Sequence, residues 1–197
     1  MRIIVIGATG TIGSAVAGVL AADHEVIRAS RRGEARVDLT DPASLDALFA
    51  SAGDVDAVVC CAANAPMSPL LSGSDEEFTR GLEGKLLGQV RLVRRAANHL
   101  RDGGSITLTG GAFARPTPGG AFGTLVNAGI EAFARAAAVE LPRGLRINVV
   151  SPGWVTETAL ELGLDPSGTT PVAEVAAVYR DFVEGRPVSS ATAATAR

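Results

Sequence analysis

Residues 2–6 form a short, unbroken apolar run that stops at Gly7. A run of that length without polar alternation reads as a strand buried on both faces of a parallel sheet. Over 11–22 the period changes: Ile12, Ala15, Val16, Val19 and Leu20 share one face of a helix. Strand patterns recur at 25–29, 36–38, 55–61, 105–109 and 146–150. Helix patterns lie between them: one capped by Asp41 with Pro42 at its first position, one at 72–81 running on through 82–100, one at 122–141 and one at 170–184. The alternation predicts an α/β fold, a doubly wound parallel sheet of six to seven strands with helices on both faces and right-handed crossovers. Residues 1–185 read as one domain, with no internal repeat and no dividing linker. In the tail, 186–197, the pattern is consistent with either a last strand near 187–189 or no regular structure.

Composition narrows the function classes. Apolar residues make up 47% of the 197 and aromatics only 4%, so a full core is built from Ala, Val, Leu and Ile. The net charge is −3, and no basic stripe or acidic tail stands out, which argues against nucleic acid or a membrane surface as partner. No run reaches the ~18–20 apolar residues of a membrane span, and the N-terminal run is too short for a signal peptide. Cys60 and Cys61 are adjacent, which excludes a disulfide framework and fits a reducing, cytoplasmic setting. His24 and His99 read as structural or surface residues, and nothing has metal-ligand spacing. The basic residues are 17 Arg and a single Lys, Lys85.

The first strand runs into Gly7, Gly10 and Gly13, and a helix opens directly after. In that context the glycines are a dinucleotide signature, and the sheet is of Rossmann type. Gly7 allows the turn, Gly10 lets backbone approach a pyrophosphate, and Gly13 lets helix pack on strand. Thr9, Thr11 and Ile12 complete the loop, where helix N–H groups meet phosphate. After the second strand, where an NAD binder carries an acidic residue for the ribose, this chain has Ser30, Arg31 and Arg32. A hydroxyl and two guanidinium groups suit a 2′-phosphate, so NADP is expected ahead of NAD.

With these residues the chain resembles the short-chain dehydrogenase/reductase family from Met1 to about Glu184. Asp38-Leu39 looks like the pair whose Asp meets the adenine amino group. Cys60-Cys61-Ala62-Ala63 stands where the family has Asn-Asn-Ala-Gly against the adenine ribose. The segment from Arg146 through Asn148 and Pro152-Gly153 to Val155 is similar to the sixth-strand signature. The resemblance implies that Pro152 and Gly153 turn over the nicotinamide, that Val155 offers backbone to its carboxamide, and that Thr156 or Thr158 contacts phosphate. It also implies a homodimer or homotetramer through helices 82–100 and 122–141, where small residues permit close approach.

The family's catalytic pattern is absent. Gly123 stands where the Tyr belongs, Asn127 where the Lys belongs, Thr109-Gly110-Gly111 where the Ser belongs and Lys85 where the Asn belongs. This resembles a divergent subgroup of short bacterial members that lack the usual Asn, Ser, Tyr and Lys. The one tyrosine, Tyr179, lies too late in the chain to substitute and reads as packing or oligomer surface. Glu131 reads as facing solvent or a partner helix. Three residues are candidates for the remaining chemistry: Lys85 as proton donor or oxyanion holder, Asn127 bridged to it, and Thr109 as the hydroxyl at the end of the fifth strand.

Two classes of function follow. One is an NADP-dependent oxidoreductase acting on a small molecule through a non-standard site. The other is a non-redox protein on the same scaffold: a cofactor-sensing interaction protein, or an isomerase, dehydratase or cyclase.

Overall fold

In β1 (Arg2–Ile6) successive side chains enter two different cores. Ile3 and Val5 join Val16, Ala17, Leu20, Tyr179 and Phe182 on one face of the sheet. Ile4 and Ile6 join Leu45, Leu48, Phe49 and Leu92 on the other. The first face is covered by α1 (Thr11–Leu20) and α7 (Val172–Val183); the second by α2 (Pro42–Ala52), α4 (Gly88–His99) and α5 (Ala121–Ala137). This is a computed structural model, and it describes residues 1–62, 67–72, 74–187 and 193–195.

The remaining strands are β2 (Glu25–Ser30), β3 (Ala35–Arg36), β4 (Val55–Cys60), β5 (Leu100–Thr109), β6 (Arg146–Val150) and β7 (Ala193–Thr195). Their order is β3-β2-β1-β4-β5-β6-β7. Every neighbouring pair is parallel except β6 and β7. The chain winds outward from β1 in one direction, then crosses to β4 and winds outward in the other. The crevice above the carboxyl ends of β1 and β4 is therefore the switch point where such sheets bind ligands.

Asp41 caps α2 as the sequence suggests, its carboxylate accepting from the Ala43 N–H at 2.9 Å. The larger differences from the pattern are these. The long helix expected from 72 to 100 is α3 (Asp75–Gly81), opened by a Ser74/Glu77 capping box, then a π-helical stretch at Leu82–Leu87, then α4. β5 begins at Leu100 because the pairing with β4 slips between Val55 and Ala57, which lengthens the strand backwards. α5 stops at Ala137, where a tight turn returns Glu140 and Leu141 N–H groups to the Ala137 carbonyl. The alternative of a last strand near 187–189 falls mostly outside the described residues, Pro187 being irregular; the strand that pairs with β6 is Ala193–Thr195. No described helix is long and apolar enough to cross a membrane.

Candidate functional site

The cleft at the switch point, about 580 Å³, is floored by the β1–α1 turn and walled by the ends of β5 and β6. Its floor is shaped by what glycine lacks. Gly7 has φ +82, and a Cβ there would lie 2.7 Å from the Ala62 nitrogen. A Cβ on Gly13 would lie 2.0 Å from the Gly7 carbonyl oxygen, so helix and turn touch through backbone alone. A Cβ on Gly10 would meet nothing nearer than 3.6 Å; the space over it belongs to the cleft. No side chain caps α1 and its first turn carries no acid, which leaves its N–H groups and positive dipole end to a ligand.

The opposite wall carries Lys85. It sits in the π-helical stretch, only 6% exposed, and lines the cleft. Its ammonium donates to the Gly110 carbonyl at 2.7 Å and to Asn127 Oδ1 at 2.8 Å. Both acceptors are neutral. No carboxylate lies within 4.0 Å of it among the described residues. Burial lowers its pKa from 10.5 to about 8, opposed by the nearby Cys60 thiol. An ammonium has three donors; two are used, and the third is available to the cleft.

Gln89, one turn on and 1% exposed, fixes this arrangement. Its amide oxygen accepts from the Thr109 N–H at 2.9 Å, and its NH₂ donates to the carbonyls of Thr109 and Lys85 at 3.0 and 3.1 Å. One side chain thus ties Lys85's own backbone to the residue preceding Gly110, whose carbonyl holds the ammonium.

Most of the residues singled out in the sequence line this cleft: Gly10, Thr11, Ile12, Gly13, Cys61, Lys85, Thr109, Gly110, Gly111, Asn127, Pro152, Gly153, Val155 and Thr158. Thr9 borders a shallower depression alongside. Arg31 and Arg32 are exposed just past β2. Asp38 is held by the N–H and hydroxyl of Thr40, at 2.9 and 2.7 Å. These bonds, with a smaller contribution from Arg31, keep its carboxyl below the usual range. Ala62 sits against Gly7, and Ala63 lies outside the described residues.

Several expectations need correction. The Thr109 hydroxyl is not free: it donates to the Cys60 carbonyl at 2.6 Å and meets the Tyr179 hydroxyl at 2.5 Å. Of the two readings of Tyr179, packing and oligomer surface, the structure shows packing. The side chain is fully buried, and burial holds its pKa well above 10, so it stays a protonated structural phenol. Ser30's Oγ is shut beneath the turn at Gly33 and has no partner among the described residues, so only the two arginines stand ready for a phosphate there. Leu39 is a core side chain against Gly88. The Thr156 hydroxyl pairs with Thr169 at 2.9 Å; Thr158 is the threonine on the cleft. Glu131 turns inward and accepts from Ser151 at 2.6 Å.

The sequence reading passed over Gln89, Phe113 and Trp154. Phe113 lines the cleft, and its ring fills the notch that Gly120 and Gly123 leave on α5: a Cβ on Gly123 would meet that ring at 3.4 Å. Apolar carbon therefore covers the α5 position where the family resemblance placed a phenol. The paired glycines were the signal, since a helix that omits two side chains one turn apart makes room for something. The short α6 (Thr156–Glu161) beyond Trp154 was also missed, being under two turns long.

Fold and cleft together define a doubly wound α/β protein with an open cleft at its switch point. The family described as enoyl-(acyl carrier protein) reductase matches residues 12–196, and the chain belongs to that family, within the short-chain dehydrogenases/reductases. It is similar to the protein lin1944 from Listeria innocua, with 38% identity over 95% of this chain and 96% of that one and a TM-score of 0.90. A small-chain dehydrogenase aligns at 27% identity over 93% and 90% of the two chains, TM-score 0.80. A short chain dehydrogenase from Burkholderia cenocepacia J2315, solved in complex with NADP, shares the fold at 23% identity over 95% and 93%, TM-score 0.80. No curated protein matches the chain.

Proposed function

We propose that this protein is an NADP(H)-dependent oxidoreductase in which Lys85 does the work a tyrosine does elsewhere in the family. The observation that carries the reading is the buried ammonium on the cleft wall, fixed by Gly110 and Asn127 and matched to no carboxylate among the described residues.

The residues present fit a dinucleotide. The α1 N-terminus is uncapped, the space over Gly10 is open, and Arg31 and Arg32 stand exposed past β2. The pyrophosphate would lie over Gly10 to Gly13 and a 2′-phosphate by the arginines, as suits a fold that elsewhere was solved with NADP in it. A bound nicotinamide would supply the hydride. Asn127 and Gly110 hold Lys85 in place. Its third N–H meets the substrate oxygen and stabilises the charge that develops there, and Nζ then gives up its proton. The neutral amine is reprotonated from solvent through the open mouth. A pKa near 8 suits this cycle, since the group is mostly charged at neutral pH yet parts readily with a proton.

Titration of the protein with NADPH and NADH, followed by fluorescence, tests the cofactor half. NADPH is expected to bind first, and no binding of either at millimolar levels overturns the reading. With a turned-over carbonyl substrate, Lys85→Met is expected to lower turnover on the order of 10²–10³-fold while NADPH binding holds. Full activity in that variant overturns the role of Lys85.

A further inference from the structure

We infer that the substrate is an apolar carbonyl compound gripped at a single polar corner, its oxygen on Lys85 and the neighbouring Asn127 amide and its body on hydrocarbon. The inference rests on the proposed role of the cleft and names the class of molecule that it takes.

The first observation is how few polar side-chain donors remain. Around the reacting end of the cleft, the Thr109 hydroxyl is spent on the Cys60 carbonyl, and the Gln89 amide on Thr109 and Lys85. The Asn127 oxygen is spent on Lys85. Gly110 and Gly111 contribute no side chain, and a Cβ on Gly111 would collide with Asn127 Nδ2 at 2.9 Å. What remains is one polar corner, the third N–H of Lys85 with the Asn127 amide NH₂ beside it, facing walls formed by Ala112, Phe113 and Trp154. A polyhydroxylated substrate would leave most of its hydroxyls against carbon, at about 1–3 kcal/mol for each one unpaired. A molecule with one oxygen and a hydrocarbon body loses nothing there.

The second observation lies outside the cleft. Ten large apolar residues are exposed among those described, and seven fall in two short segments, 67–71 and 154–164. Each segment adjoins a residue of the cleft wall, one through a hydrogen bond and one along the chain. The first is joined to the loop bearing Phe113 by the Ser68 N–H, which donates to the Gly119 carbonyl at 3.1 Å. The second begins at Trp154 and carries Leu160, Leu162 and Leu164. Scattered surface leucines need no explanation, but a concentration in two segments that adjoin one cleft marks a binding surface. The walls are thus adjoined by apolar surface that a chain longer than the cleft would cover.

Trp154 is the only tryptophan and lines the cleft, so its fluorescence reports occupancy. The probes are 2-alkanones of six, eight and ten carbons and a six-carbon ketose, titrated into the full chain with and without NADP⁺. Affinity is expected to climb about threefold to fourfold per added methylene, as burial of hydrocarbon requires, with no response to the ketose. Lys85→Met should weaken every alkanone by a similar factor and leave that slope unchanged, while Leu160→Ser with Leu162→Ser should flatten it for the longest chain only. A flat series, or a ketose that binds as well as the alkanones, overturns the inference. A steep series in a protein that never binds NADPH upholds this inference and removes only the cofactor reading.

Discussion

At the carboxyl ends of β1 and β2 the cleft is walled by main chain; at those of β4 and β5 the working parts are side chains. On the first side three glycines let backbone touch backbone, and the ligand-facing groups are the N–H donors of an uncapped helix. On the second side Asn127 and Gln89 hold Lys85, and Phe113 fills the notch at Gly120 and Gly123. Main-chain sites tolerate little change because few residues can make them. Side-chain sites can be rebuilt wholesale while the fold persists, and a familiar scaffold with an unfamiliar reacting end is the expected product.

The strongest break of that contrast is Gly13→Ala. Its new Cβ would sit 2.0 Å from a backbone oxygen that cannot swing aside. We expect a loss of at least about 3 kcal/mol, or a Tm lower by roughly 10 °C, and loss of dinucleotide binding. Gly10→Ala, with 3.6 Å of clearance, should keep the Tm and weaken only binding. Thermal melts of the pair decide the matter; equal Tm values would mean that the floor is not held by backbone contact.

Next in size is the pH dependence of Lys85. In the proposed reduction Lys85 gives the proton, so turnover in that direction should be level below about pH 8 and fall up to tenfold per unit above it. Stability runs the other way. The folded pKa lies below the unfolded 10.5, so between about 8 and 10.5 the unfolded chain binds more protons and stability rises with pH. Lys85 is the only lysine, so a single side-chain ¹⁵N resonance follows the titration. A midpoint near 10.5 would show that the ammonium is solvated and not buried.

Smaller still is the cofactor's ribose end. Replacing Arg31 and Arg32 together by Ala should cost NADPH about tenfold in affinity and NADH almost nothing, since exposed guanidinium–phosphate contacts are partly screened. Equal losses for both cofactors would mean that the arginines serve the fold and not the 2′-phosphate.

How far each side could be read from sequence follows from the same contrast. The turn at Gly7, Gly10 and Gly13 was legible because backbone constraints demand one residue type at fixed spacing, and the β1 and β4 cores because alternate residues of an apolar run face opposite ways. Lys85 stood out as a lone lysine, but its acceptor at Gly110 depends on a π-helical turn that has no period of its own within 72–100. Gln89 had a signal, an amide inside an otherwise apolar stretch, though not the identity of the strand end it would meet. Ser30 and Thr109 were read for their hydroxyls, and only packing reveals that one is sealed under Gly33 and the other committed to Cys60 and Tyr179.

Tyr179 gives the finest test, because it is a tyrosine in a family where tyrosine usually does the chemistry. Its phenol reaches Thr109 from α7, and it is fully buried and held protonated. Tyr179→Phe removes one buried hydrogen bond and leaves the Thr109 hydroxyl still bonded to the Cys60 carbonyl, so no acceptor in the strand is stranded. The expected loss is about 1 kcal/mol of stability, a Tm lower by roughly 2–4 °C, with turnover within twofold of the parent at every pH. A turnover loss of tenfold or more, together with a changed pH profile, would transfer the proton chemistry from Lys85 to the α7 side of the sheet. If turnover holds while the Tm falls, the two ionisable groups flanking β5 divide the labour, with the phenol fastening α7 to the strand end and the ammonium alone meeting the substrate.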